Sequence, residues 1–156
     1  CIQRQVGDCD LCDKKMKRLL AICALLLLLL ALSDGFRKQS VRAIGRLRCG
    51  SRPAPNTRVK LVDEDDGPDP DDDLDSGYTG PDGRFDLSGD TRELTDIDPR
   101  LKVYTDCNDG ITPCERKWKI TIPDKYICSG GNPNKVFDLG DVNLEVELEG
   151  EERNCI

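Results

Sequence analysis

Five separate stretches of the chain alternate apolar and polar residues with a period of two, and no other feature narrows the fold as much. VRAIGRLRC (41–49) sets Val41, Ala43, Gly45 and Leu47 on one side of an extended chain and Arg42, Arg46 and Arg48 on the other. RVKLV (58–62) sorts Val59 and Leu61 from Arg58 and Lys60. LKVYTDC (101–107) sorts Leu101 and Val103 from Lys102 and Tyr104, and KWKITI (117–122) sorts Trp118, Ile120 and Ile122 from Lys117 and Lys119. VNLEVEL (142–148) sorts Val142, Leu144, Val146 and Leu148 from Asn143, Glu145 and Glu147. Successive side chains of a strand point to opposite faces, so each stretch reads as a strand with one buried face. Clusters of Gly, Pro and Asp separate them. GPDGRF (80–85) reads as a tight hairpin turn, with φ preset at Pro81 and a left-handed conformation open to Gly83. After residue 33 no helical period is sustained, although DTRELTDIDP (90–99) has room for one short turn before Pro99. The expectation is an all-β sandwich of about seven or eight short strands.

The start of the chain has a different character. MKRLLAICALLLLLLALS (16–33) has the parts of a secretory signal peptide: basic Lys17 and Arg18, an apolar run from Leu19 to Leu32, and small residues Ala31 and Ser33 at the −3 and −1 positions. The run is shorter than the ~20 apolar residues a spanning helix usually takes, so no transmembrane anchor is expected. Cleavage is expected between Ser33 and Asp34. Residues 1–15 have no place in a secreted product and read as translated upstream sequence or an extension of the gene model. Cys1, Cys9, Cys12 and Cys23 leave the structural arithmetic with them and the signal, and CDLC (9–12) lacks the second pair that a metal site needs. The domain is then 34–156, enough for one modest core. It holds 18 Lys/Arg and 27 Asp/Glu, a net charge of −9, which is the wrong sign for nucleic-acid binding through phosphates. Five cysteines lie in it: Cys49, Cys107, Cys114, Cys128 and Cys155. In an oxidising compartment most of them pair, and one is left over or joins another chain.

Between Asp63 and Asp75 nine of thirteen residues are acidic. Pro68 and Pro70 interrupt both helix and ladder there, so the run reads as a loop leaving a strand at Val62 and re-entering near Tyr78. Counted from Asp69, Asp71 and Asp73 have the alternate spacing of an EF-hand loop, but its sixth position is Leu74 and its twelfth Gly80, so that motif fails. The run is expected to be a solvated, mobile loop that discourages edge-to-edge pairing and is dispensable for folding.

Catalysis has little to work with. The chain contains no histidine, so no Ser–His or Cys–His pair can activate a nucleophile. The carboxylates of a solvated loop lack the burial that raises a pKa for acid catalysis. CSGGNPNK (128–135) has glycines but no phosphate-binding motif, and no Asn-x-Ser/Thr sequon occurs. The protein is expected to be a non-enzyme without cofactor or bound metal.

VRAIGRLRC, the long stretch from VKLVDEDDGPDPDDDLDSGYTGPDGRF to ERKWKITIPDKYI, and the terminal RNCI together resemble the nematode transthyretin-like family, from about Ser40 to Ile156. The resemblance implies a secreted prealbumin-type sandwich of the extracellular space or cell surface. It implies a binding role, either bridging phosphatidylserine on dying cells to a phagocyte receptor or carrying small apolar ligands, with a homo-oligomer left open. Family members often have His where this chain has Thr105. The hydroxyisourate hydrolases of the wider superfamily use His, Arg and a C-terminal Tyr-Arg-Gly-Ser, whereas this chain ends EERNCI.

Prealbumin topology also implies which cysteines meet. Cys49, Cys107 and Cys114 fall at one end and Cys128 and Cys155 at the other. The pairing expected is Cys49 with Cys107 or Cys114, and Cys128 with Cys155; a local Cys107–Cys114 bridge is the rival. The same topology makes the strands of Arg58 and Lys60, of Lys102 and Tyr104, and of Lys117 and Lys119 adjacent. Those six residues then form a basic outer face, a candidate platform for an anionic lipid surface, with the compensating acids elsewhere.

Overall fold

The computed structural model describes residues 7–33, 37–64 and 71–155. The expected cleavage partner Asp34 and the acidic residues Asp65, Asp66 and Asp69 lie outside the described residues. The chain forms two compact units, residues 1–36 and 37–156. The first holds one α-helix, α1 (Gly7–Ser33), which runs across the boundary that the sequence sets at Met16. Among the described residues no helix is long and apolar enough to cross a membrane.

The second unit is a sandwich of two five-stranded sheets. Its strands are β1 (Arg37–Cys49), β2 (Arg52–Pro53), β3 (Arg58–Asp63), β4 (Asp72–Tyr78), β5 (Arg84–Glu93), β6 (Pro99–Thr105), β7 (Glu115–Thr121), β8 (Cys128–Ser129), β9 (Phe137–Asn143) and β10 (Glu152–Asn154). Three of these are two or three residues long, which accounts for ten strands against the expected seven or eight. In the first sheet β1 pairs antiparallel with β5, β2 and β8 and parallel with β9, and Arg48 stands between β2 on one side and β9 on the other. The second sheet has the order β10-β7-β6-β3-β4, antiparallel throughout.

The core forms where the predicted apolar parities face each other. Val41, Ala43 and Leu47 of β1 meet Val59 and Leu61 of β3, Leu101 and Val103 of β6 and Trp118 of β7, each no more than 2% exposed. Each large apolar side chain so buried contributes about 1.5–3 kcal/mol relative to exposure. The 80–85 turn forms as read: Gly83 N–H donates to Gly80 O at 2.9 Å and Gly83 has φ +80°. It does not close a hairpin within one sheet. It carries the chain from β4, an edge of the second sheet, to β5 in the first. Residues 94–98 hold no helical turn.

Two strand assignments move. β9 begins at Phe137 and ends at Asn143, so Val146 and Leu148 are 52% and 36% exposed instead of buried. The acidic run is only partly loop, because Asp72, Asp73 and Asp75 belong to β4 and pair with β3. The Asp75 carboxylate accepts from the Ser76 and Ser88 amides, both at 2.8 Å, and so ties β4 to β5.

Two disulfides staple one end. Cys49–Cys107 is one of the two expected partners for Cys49. The second bridge is Cys114–Cys155, not Cys128–Cys155. The cause is β10, which adds to the edge of β7 with Asn154 opposite Glu115 and so delivers Cys155 to Cys114. Closing loops of 58 and 41 residues stabilises the fold by about 4 kcal/mol each in the chain-entropy model. Cys128 stays a buried thiol that donates to Asn134 Oδ1 at 3.0 Å.

Candidate functional site

The register of the second sheet decides what stands on its outer face. Arg58 lies opposite Tyr104, which lies opposite Lys117; Lys60 lies opposite Lys102, which lies opposite Lys119. All six predicted residues therefore share one face, as their parity required. Adjacent strands are only ~4.8 Å apart, so Lys60, Lys102 and Lys119 form a line of like charges, an arrangement that destabilises a sheet unless something neutralises it.

Acidic residues on both flanks do so. Lys60 Nζ is 2.7 Å from Asp73, and Lys102 pairs with Asp71. Lys119 pairs with Glu152 at 2.9 Å and Glu64 at 3.4 Å, while Lys117 reaches Glu152 at 3.0 Å. Arg100, on the same parity, pairs with Glu64. The Arg58 guanidinium pairs with Glu115 at 2.8 Å and lies over the Tyr104 ring, 4.0 Å from its centroid. The expectation that the compensating acids stand elsewhere is thus corrected: Asp71, just before β4, and Asp73 within it stand against the lysine line. Covered in this way, Lys102 and Tyr104 are 5% and 7% exposed, whereas parity alone made them solvent-facing.

The titration of these groups follows from their partners. Hydrogen bonds from Lys119 and then Lys117 lower Glu152 to about 2. The Lys102 ammonium holds the Asp71 carboxyl below its ordinary range, and the Glu152 carboxylate holds the Lys119 ammonium above its own. These shifts hold Asp71 and Glu152 ionised and Lys119 protonated at neutral pH, so the face is an ionic lattice and not a bare cationic platform.

Sequence reasoning missed Arg116. It lies on the apolar parity of β7 with Trp118, and it is 3% exposed. Its guanidinium donates to Cys107 O at 2.9 Å, to Leu144 O and Val146 O at 2.7 Å each, and to both oxygens of Glu151 at 2.6 Å. Glu151 also accepts from Trp118 Nε1 at 2.9 Å. Charge-assisted bonds of this kind are the strong ones, and here they turn the chain after β9 and end that strand. An arginine between two apolar-parity positions was the available signal.

Among the described residues no group of three or more His, Cys, Asp or Glu is placed to hold a metal ion. A family model described as the transthyretin-like family matches residues 44–123, spanning β1 to β7 and so the whole lysine line. This chain belongs to the transthyretin-like family. Transthyretin-like protein 33 of Caenorhabditis elegans is 43% identical over 141 residues, 90% of this chain and 99% of that protein. Transthyretin-like protein 46 of the same nematode is 51% identical over 133 residues, 85% of this chain and 74% of that protein. Transthyretin-like protein 5 is 46% identical over 118 residues, covering 76% and 85% of the two chains. None of these transthyretin-like relatives has an enzyme's name.

Proposed function

We propose that this transthyretin-like protein is a secreted, non-enzymatic binding module, and that the outer face of its second sheet meets an anionic group on an extracellular surface. The phosphatidylserine headgroup is the ligand to test, and a bridging role would leave the rest of the surface free for a receptor. The observation that carries the reading is the line Lys60–Lys102–Lys119, three ammonium groups opposed across adjacent strands. Their counter-ions come from an edge strand with the segment before it and from a three-residue terminal strand. An incoming phosphate or carboxylate can exchange with such acids at the rim without disturbing the core. Carriage of small apolar ligands finds less support, because Trp118, Leu47, Leu61 and Leu101 fill the space between the sheets.

The test is sedimentation of the full protein with phosphatidylserine and phosphatidylcholine vesicles across a salt series. Binding to the anionic vesicles is expected to weaken as salt rises, since each basic group near such a surface contributes about 1 kcal/mol and screening acts over a Debye length. Lys117→Glu with Lys119→Glu is expected to abolish it. Asp73→Asn is expected to strengthen it, by releasing Lys60 from its internal partner. Binding that requires calcium and survives the lysine changes would move recognition to the acidic run, and absence of binding would end the proposal.

A further inference from the structure

The first sheet carries a feature that the lysine face does not use. β1 and β9 run parallel with Ile44 beside Asp138, but the next pair is Arg46 with Asp141, so β9 spends one residue more than β1 over the same span. Gly140 takes φ +79° inside this bulge, a left-handed conformation that suits glycine. Bulges of this type bend a strand and re-aim its side chains, and they recur beside binding sites. Here the bulge sits at an open groove of about 530 Å³, within the size range of small-molecule sites.

The chemistry of the lining narrows the ligand. Tyr78, 64% exposed, offers a ring at the rim. Arg46 and Arg84 supply planar donors, while Asp86, Asp138 and Asp141 supply planar acceptors. Several of these are pinned: Arg46 Nε donates to Asp82 O at 2.9 Å, Asp141 bridges Arg46 at 3.3 Å and Arg48 at 2.9 Å, and Asp86 is held by Arg42 through two bonds of 2.8 and 2.6 Å. Asp138 accepts from the Gly140 amide at 2.8 Å. Arg84 pairs with Asp82 at 3.2 Å and keeps its side chain 72% exposed. Two arginines against three aspartates leave the groove without excess positive charge, so it does not select an anion. The charged lining does not suit an apolar molecule. A ligand that stacks an apolar face on an aromatic ring and exchanges hydroxyl hydrogen bonds with paired guanidinium and carboxylate edges fits every part of it.

We propose that the groove over the β1–β9 bulge binds a neutral saccharide. Tyr78 stacks against a pyranose face, Asp86 and Asp138 accept from its hydroxyls, and Arg84 donates to its oxygens. Carboxylates fixed in advance, Asp86 by Arg42 and Asp138 by the Gly140 amide, lose little freedom on binding, which favours recognition of a weakly binding, polar ligand. Tyr78 stands opposite Arg58 of the lysine face, whereas Arg84, Asp86 and Asp138 belong to the first sheet, so Arg84→Ala separates the failure of this site from the failure of vesicle binding.

The experiment is amide chemical-shift mapping of the full protein with three neutral probes: diacetylchitobiose, lactose and mannobiose. A sulfated disaccharide serves as the anionic control. At least one neutral probe is expected to shift the amides of Gly45, Asp86, Gly140 and Asp141 in a saturable way, and the sulfated probe is not. Tyr78→Ala and Arg84→Ala, both at exposed positions, are expected to weaken the response about tenfold each while leaving the remaining spectrum in place. Silence from all three neutral probes, shifts that gather on Lys60, Lys102 and Lys119 instead, or a response untouched by both variants would each overturn the assignment.

Discussion

The two outer faces of the sandwich carry the same chemistry and give it different weight. On the second sheet the cation of the central pair, Lys102, has only 7% of its side chain exposed, and Lys60, Lys119 and Glu64 have 28%, 30% and 20%. On the first sheet Arg42 and Asp86 are 41% and 53% exposed, and Arg46 and Asp141 are 39% and 45%. Exposed pairs are screened by water and salt and contribute between zero and about 1 kcal/mol. A covered pair is different, because removing one partner strands the other charge away from water. The lesson concerns the acidic run more than the lysines. Asp71 beside Lys102 makes that covered pair a structural one, while Lys60 and Lys119 at the ends of the line and the pairs beside the bulge stay within reach of a ligand.

The largest effect expected from breaking this contrast is on the fold itself. Replacing Asp65–Asp73 by a Gly-Ser linker deletes the partners of Lys60 and Lys102 and part of β4. Unfolding free energy is expected to drop by about 3–5 kcal/mol in denaturant titration, although a solvated loop would have been dispensable. Restoring only Asp71 and Asp73 in the linker is expected to recover most of the loss. A variant as stable as the parent would show that the lysine line needs no counter-ions.

Next in size is the single pair. Asp71→Asn leaves Lys102 covered, unpaired and between two other lysines, at an expected cost of about 2–3 kcal/mol. Adding Lys102→Met removes the stranded charge, and the double variant is expected to lie within about 1 kcal/mol of the parent. Equal losses in the single and double variants would mean that Lys102 contributes through its packed stem and not through its charge.

How far these features were legible in the sequence depends on whether a neighbour within the strand or a distant segment decided them. Val41, Leu61, Val103 and Trp118 were assigned to the core from period-two parity, and parity also gathered Arg58, Lys60, Lys102, Tyr104, Lys117 and Lys119 on one face. Parity makes Lys102 and Tyr104 solvent-facing, but Asp71, some 30 positions earlier, pairs with Lys102 and the Arg58 guanidinium lies over the Tyr104 ring, contacts that leave no periodic trace. Val146 and Leu148 continued a perfect alternation, yet Arg116 captures the carbonyls of Leu144 and Val146 and breaks the strand. The Cys128–Cys155 pairing failed for a similar reason: β10 is three residues long and too short to announce itself, but it decides where the terminus lies. The groove depends on one extra residue in β9, which a list of alternating residues does not show.

A smaller effect is expected from pH. The Glu152 carboxyl sits at about 2 because Lys119 and Lys117 donate to it, well below the ~4.3 of a free glutamate. A carboxyl whose pKa is lowered by folding adds stability above its unfolded pKa and loses it as pH falls toward the folded one. The parent is therefore expected to lose stability between about pH 4.5 and pH 2, and Glu152→Gln to flatten part of that slope while costing some stability at pH 7. Its side chain is 46% exposed, so the change is expected to stay within about 1 kcal/mol. A slope unchanged in the variant would assign the acid sensitivity to Asp71 and Glu151, whose carboxyls are also lowered by Lys102 and Arg116.

The smallest effect belongs to the first sheet and tests the contrast from its other side. Asp86 accepts two hydrogen bonds from Arg42, at 2.8 and 2.6 Å, a better geometry than any pair of the lysine line displays. Geometry alone would rank it first. Exposure reverses the order, because water solvates both groups when the pair is broken and nothing covered is left without a partner. Asp86→Asn is accordingly expected to change unfolding free energy by no more than about 0.5 kcal/mol, at most about a quarter of the loss at Asp71. The same substitution keeps a hydroxyl-binding amide in the groove but weakens its hold on Arg42, so saccharide shifts are expected to shrink while the melting curve barely moves. A loss as large as that of Asp71→Asn would mean that bond geometry, and not cover from water, sets the value of an ion pair on this sandwich.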